Sequence, residues 1–127
     1  MEQATRVMLV EDEEDLVRIV ESCFQDEGFE VKVALNAEDA LKLLTYYIPD
    51  IIVSDVRMAM MDGFDLLELI RKRAHTKEIP FIFLTIMDDR ASVERAKALG
   101  ADAFMTKPFD VEDLVQKVKE VLASKNK

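Results

Sequence analysis

Short apolar runs in this chain end in polar residues of a particular kind. Glu11 and Asp12 follow Val7–Val10, Asp55 closes the run begun at Ile51, Thr85 follows Phe81–Leu84, and Lys107 follows Ala103–Met105. Three carboxylates offer hard oxygens to a divalent cation, and Mg²⁺ needs only one or two of them beside its waters. Lys107 and Thr85 suit an anionic group held against such a cation. A carboxylate surrounded by a metal, an ammonium and a hydroxyl is equipped for phosphoryl transfer, where catalysis is mostly positioning and charge neutralisation. Asp55 can then be the nucleophile and form an acyl phosphate. Each residue alone has a plainer account. The acidic run Glu11–Asp15 reads as a solvated helix start, Asp55 as a turn cap, Thr85 as a strand residue, and Lys107 as a loop lysine. Their order at successive run ends is what favours the phosphoryl chemistry.

Elements must exist to bring these residues together. Val7–Val10, Val31–Ala34, Ile51–Val53, Phe81–Leu84 and Ala103–Met105 read as buried parallel strands. Between and after them lie stripes with helical spacing: Leu16/Ile19/Val20/Cys23, Ala37/Ala40/Leu41/Leu44, Leu66/Leu67/Ile70, Val93/Ala96/Leu99 and Leu114/Val115/Val118/Val121/Leu122. Asn36 and Asp110 are placed to cap helices, each with an acid three residues on. Gly28 and Gly100 fall where a left-handed residue closes a helix, and Pro49 and Pro80 precede strands. The alternation predicts an α/β fold, a doubly wound five-stranded parallel sheet with helices on both faces. Ligands of such sheets sit beyond the carboxyl ends of the strands, where strand order reverses. For strands 1, 3, 4 and 5 to share one site they must be neighbours. Strand 2, ending in Ala34-Leu35, then lies outside strand 1, and the expected order is 2-1-3-4-5.

Composition narrows the function classes. The chain has 127 residues, half of them apolar, with 17 Lys and Arg against 26 Asp and Glu, a formal charge of −9. That length suits one domain with a true core. The acid excess repels nucleic acid and anionic membrane, so neither is an expected partner. No apolar run exceeds four residues, one cysteine excludes an internal disulfide, and no signal-peptide pattern opens the chain. The expectation is a soluble cytoplasmic domain. Three glycines, Gly28, Gly63 and Gly100, allow neither a P-loop nor a dinucleotide fingerprint. Folding also crowds Glu11, Asp12 and Asp55, so at least one carboxyl should titrate above its unfolded value.

At these residues the sequence resembles the receiver domain of bacterial two-component response regulators, from Thr5 to Ala123. The resemblance rests on Val10-Glu11-Asp12-Glu13, Asp55 with Met58 and Met61-Asp62-Gly63, Thr85, Gly100-Ala101-Asp102-Ala103-Phe104, and Thr106-Lys107-Pro108-Phe109. It implies a flavodoxin-like fold forming a single receiver domain over residues 1–127. It further implies that Asp55 takes a phosphoryl group from a sensor histidine kinase or a histidine phosphotransfer protein. Glu11, Asp12, Asp55 and the main-chain carbonyl of Arg57 would hold Mg²⁺. Lys107, joined to Pro108 by a cis bond, would pair with Asp55 and then with the phosphoryl oxygens. Thr85 would swing towards the phosphoryl group, and Phe104 would follow as the switch aromatic. The surface of helix 4, strand 5 and helix 5, with Glu94, Arg95, Lys97, Lys117 and Lys119, would control a downstream protein or output domain. The implied protein is a monomer or a weak phosphorylation-dependent dimer, and a signalling domain rather than an enzyme, with at most self-phosphorylation and self-dephosphorylation.

Three residues depart from the family pattern. Ala59 stands where a proline is frequent, Phe104 lacks a hydroxyl, and Ile86 replaces a usually small residue after Thr85, where its bulk would slow phosphoryl exchange. An aspartate-nucleophile phosphatase is the rival enzyme, but the second acid it needs two residues beyond the nucleophile is Arg57 here. A docking module without phosphorylation is the other rival, and it has no use for all five polar residues. His75 reads as a loop histidine and Cys23 as a buried small apolar residue. Met58, Met60 and Met61 either pack locally or offer an adaptable contact.

Overall fold

The computed structural model describes residues 3–86 and 89–125. Strands and helices alternate: β1 (Arg6–Val10), α1 (Glu14–Asp26), β2 (Glu30–Ala34), α2 (Ala37–Leu43), β3 (Ile51–Asp55), α3 (Gly63–Lys72), β4 (Phe81–Thr85), α4 (Arg90–Ala98), β5 (Ala103–Thr106) and α5 (Val111–Lys125). All strand pairs are parallel and the sheet order is β2-β1-β3-β4-β5, the expected order. Two-residue periodicity sorts the strand side chains to opposite faces. Met8, Val10, Ile52, Phe81 and Phe83 pack with α2, α3 and α4, while Val7, Leu9, Ile51, Val53, Ile82 and Leu84 pack with α1 and α5. Each fully buried side chain of this size contributes about 1.5–3 kcal/mol, which fixes the sheet as the rigid frame of the site.

Helix ends follow local chemistry. Asn36 accepts from the Asp39 amide at 2.8 Å, and Asp62 forms a capping box with Asp65. The Asp113 and Leu114 amides donate to the Asp110 carbonyl at the start of α5. Gly28 and Gly100 have φ of +90° and +95°, the left-handed geometry expected of them.

Three expectations are corrected. The buried stripe of α1 is Val17, Val20 and Phe24, whereas Ile19 is 56% exposed. Two adjacent stripes share the i, i+3, i+4 spacing here, and only the one with the phenylalanine faces the sheet. Cys23 lies on the shoulder of that stripe and is half-buried. β2 is an edge strand with Glu30 and Lys32 exposed, so only part of it is core.

At the amino ends of the strands a compact ion cluster ties the loops together. Arg71, from α3, donates to the carbonyls of Lys77, Ile79 and Gly100 at 3.1, 2.6 and 2.8 Å and lies 3.5 Å from Asp102. Asp102 also accepts from the Phe81 amide at 2.9 Å and from Lys125 of α5 at 2.9 Å.

Candidate functional site

The register of the sheet brings the carboxyl ends of four strands level. Val10 pairs with Ser54, Asp55 with Leu84, and Thr85 with Thr106. Glu11, Asp55, Thr85 and Lys107 are therefore neighbours at one rim, as required by the strand-end reading.

Glu11 is fully buried. Its Oε1 accepts from Lys107 Nζ at 2.8 Å and its Oε2 from the Glu13 amide at 3.1 Å. Asp55, 8% exposed, accepts from the same ammonium at 3.1 Å through Oδ2 and from the Arg57 amide at 3.3 Å through Oδ1. The exposed Asp12 completes the group: one carboxylate oxygen from each of Glu11, Asp12 and Asp55 lies within 4.8 Å of the others. One ammonium thus faces three carboxylates.

The electrostatics follow from that ratio. Burial pushes the Glu11 carboxyl above its ordinary value, against the Lys107 and Glu13 hydrogen bonds, with the Asp55 charge adding to the rise. A raised carboxyl was expected from crowding; desolvation is the larger cause. For Lys107, burial disfavours the ammonium, but the Glu11 hydrogen bond and the charges of Asp55 and Glu11 outweigh it, and its pKa rises.

Lys107 is held from below, its amide donating to the Thr85 carbonyl at 2.7 Å, and its bond to Pro108 is cis, as expected. Thr85 is fully buried at the end of β4. Phe104 pairs with Phe83, and alternation places Phe83, Thr85 and Phe104 on the same sheet face, with Phe104 partly buried against the core there. Ile86 is 63% exposed and lines a groove of about 320 Å³ with Glu13, Leu16, Lys107, Pro108 and Phe109. It stands at the mouth of the site, turned outward.

Two further residues support the site. Ser54 is fully buried and its hydroxyl donates to the Asp55 carbonyl at 2.8 Å. Gly63 donates to the Val56 carbonyl at 2.7 Å, and a Cβ there would press into the Asp55 carbonyl oxygen and lie 2.9 Å from Phe83 Cε1. Only glycine lets α3 start so close to Asp55. In the intervening loop Met58 and Met61 pack partly against the core, while Met60 is 92% exposed with φ of +69°. His75 is exposed and far along the chain from this rim, in the turn before β4.

Comparison with known proteins agrees with this geometry. Residues 7–119 match the response regulator receiver domain family. The response regulator Rre1 of Synechocystis is 32% identical over 97% of the chain and 54% of its own length. The response regulator SaeR of Staphylococcus aureus is 32% identical over 97% of the chain and 53% of its own length. The chain spans about half the length of these curated relatives. Among solved structures, the chemotaxis response regulator CheY4 of Vibrio cholerae superposes with a TM-score of 0.88 at 30% identity, covering 94% of this chain and 99% of that one. The HemR receiver domain of Leptospira biflexa gives 0.85 at 31% identity, covering 93% and 94%.

Proposed function

The chain belongs to the response regulator receiver family, and on that premise we propose that it forms one receiver domain whose Asp55 accepts a phosphoryl group from a phosphohistidine of a sensor kinase or phosphotransfer protein. The observation that carries the proposal is the single ammonium of Lys107 shared between Glu11 and Asp55 at 2.8 and 3.1 Å. An Asp55 oxygen attacks phosphorus as the P–N bond breaks, and the imidazole departs with the electron pair of that bond. Lys107 neutralises charge on Asp55 beforehand and on the transferred oxygens afterwards. Thr85 donates its hydroxyl to the new group, and Phe104, on the same face, fills the space that Thr85 leaves. The altered surface of α4, β5 and α5 then reaches a downstream protein or output domain, in a monomer or a phosphorylation-dependent dimer.

The donor set fits Mg²⁺: hard carboxylate oxygens, one of them exposed to water, with a net negative charge after Lys107 is counted. Glu11, Asp12, Asp55 and the Arg57 carbonyl would hold it. When bound, it supplies charge neutralisation to the transferring phosphoryl oxygens. No helix among the described residues is long and apolar enough to cross a membrane, and we place the domain in the cytoplasm with its kinase. It acts as a signalling switch, its only reactions being gain and loss of its own phosphoryl group.

The test is incubation with a small acyl phosphate and Mg²⁺ followed by intact-mass measurement. Wild type gains one hydroxylamine-labile phosphoryl group and Asp55→Asn gains none. Equal labelling of the variant overturns the assignment. Lys107→Ala keeps some labelling but loses the response of α4 and β5. Repeated turnover of added phosphomonoesters would favour the phosphatase instead.

A further inference from the structure

We propose that Ser54 is a positioning residue for phosphoryl transfer: its buried hydroxyl holds the main chain of Asp55, and through it the direction of the Asp55 carboxylate and of the loop that carries Arg57. The role rests on the reading of Asp55 as the phosphoryl acceptor.

Five polar side chains are buried among the described residues: Glu11, Ser54, Asp55, Thr76 and Thr85. Three of them belong to the site, and Thr76 donates to the Ile70 carbonyl at 2.7 Å near the end of α3. Ser54 has neither duty. Its register partners are Val10 on β1 and Phe83 on β4, two fully buried apolar residues, and its side chain shares their face of the sheet. Alternation puts the Asp55 side chain on the other face, so what Ser54 offers Asp55 goes through the main chain. Alanine would fill the place without burying a hydroxyl, which costs free energy unless the hydroxyl is hydrogen-bonded. What serine adds is one bond, from Oγ to the Asp55 carbonyl at 2.8 Å.

That carbonyl stands at the point where the sheet stops holding it. β1 ends at Val10, and its last pair with β3 is Val10–Ser54, one residue short of Asp55. On the other side the Val56 amide is turned to β4 and donates to the Leu84 carbonyl at 3.2 Å, so the Asp55 carbonyl is turned towards β1, past that last pair. Ser54 supplies a donor there. The start of α3 closes a second approach, since a Cβ on Gly63 would press into the same carbonyl oxygen. The peptide after Asp55 is thus held between a hydroxyl and a glycine. Its orientation sets where the carboxylate points and where the loop begins, and the Arg57 amide, two residues on, donates to Asp55 Oδ1 at 3.3 Å. Without the hydroxyl the peptide is free to rotate, and the attacking oxygen and the Arg57 carbonyl lose their fixed places. Small displacements of reacting atoms cost rate steeply.

The test compares wild type, Ser54→Ala, Ser54→Cys and Thr76→Val as full chains. Each is incubated with a small acyl phosphate in saturating Mg²⁺, and phosphoryl uptake is followed by intact mass over time. Thr76→Val removes the other buried hydroxyl-to-carbonyl bond, so it matches the structural loss at a distance from the site. Ser54→Ala is expected to label about tenfold more slowly than wild type. Ser54→Cys, a weaker donor, falls between the two. Thr76→Val labels at the wild-type rate, although the urea midpoint drops in Ser54→Ala and Thr76→Val alike. In ¹⁵N spectra recorded without phosphodonor or Mg²⁺, the Arg57 amide moves in Ser54→Ala and stays in place in Thr76→Val. Labelling of both Ser54 variants at the wild-type rate overturns the role, as does an equal slowing of Thr76→Val or an unmoved Arg57 amide in Ser54→Ala. A wild type that takes up no label overturns the phosphoacceptor reading itself, and the role with it.

Discussion

The two ends of the sheet each carry a partly buried ion cluster, with opposite stoichiometry. At the carboxyl ends one cation, Lys107, faces Glu11, Asp12 and Asp55. At the amino ends two cations, Arg71 and Lys125, face the one acid Asp102. The surplus positive charge at the amino end is absorbed, because Arg71 caps three main-chain carbonyls and Asp102 holds the Phe81 amide. At the carboxyl end the Glu13 and Arg57 amides take up only part of the surplus negative charge, and the Asp12 carboxylate lies exposed. One cluster is closed and structural; the other is left short of positive charge, which a divalent cation can supply. The difference teaches that burial of charge alone does not mark a functional site. The unmet remainder does.

The comparison breaks most easily at its closed end. Arg71→Met leaves three carbonyls and part of Asp102 unpartnered, and it should lower the stability measured by urea unfolding by about 2–4 kcal/mol. Phosphoryl uptake at the far rim should persist under native conditions. Loss of uptake with little loss of stability would mean that the two clusters are not separate.

On the proposed reading, Mg²⁺ would act on the open end alone. At a hundredfold excess over its dissociation constant it should stabilise wild type by roughly 2.7 kcal/mol in the same unfolding assay. Arg71→Met should keep the full increment, since its metal ligands are untouched.

A pH titration sharpens the contrast further. Tyr47, beside Arg6 at the amino end of the sheet, donates to Glu30 at 3.1 Å, and burial together with that acceptor pushes its phenol up to about 12. The neutral phenol is therefore the form favoured by folding. Its stabilisation is full below the unfolded value near 10 and is lost as pH climbs towards 12. Ultraviolet titration should show the late tyrosine step, and Tyr47→Phe should remove it. The smallest effect is Lys125→Ala. Its side chain is 48% exposed, so unfolding should shift by less than about 1 kcal/mol.

The open end was legible in the sequence because its members sit at strand ends, and strand ends announce themselves as apolar runs meeting polar residues. Placing Glu11, Asp55, Thr85 and Lys107 in one crevice was enough to order the strands. The closed end left no such trace. Arg71 comes from a helix, Asp102 from a loop and Lys125 from the last turn of α5, and only the folded chain relates them. Gly63 was one residue of a motif until the sheet set Asp55 and Phe83 against it. Ile19 misled because spacing alone cannot choose between neighbouring helical stripes. Ile86 was readable as a bulky residue beside Thr85, and its exposed place at the mouth of the site became visible only in the fold.

The central claim is that three acids share the open end with too little positive charge, and paired urea melts of wild type and Asp55→Asn, in chelator and in Mg²⁺, test it most directly. Asparagine keeps the shape, and Lys107 keeps Glu11 as a partner at 2.8 Å. In chelator the variant should therefore be more stable than wild type by about 1 kcal/mol, the value of relieving a partly solvated repulsion. In Mg²⁺ the order should narrow or reverse, because the variant has lost a metal ligand. A variant less stable in chelator that gains as much from Mg²⁺ as wild type would contradict the account.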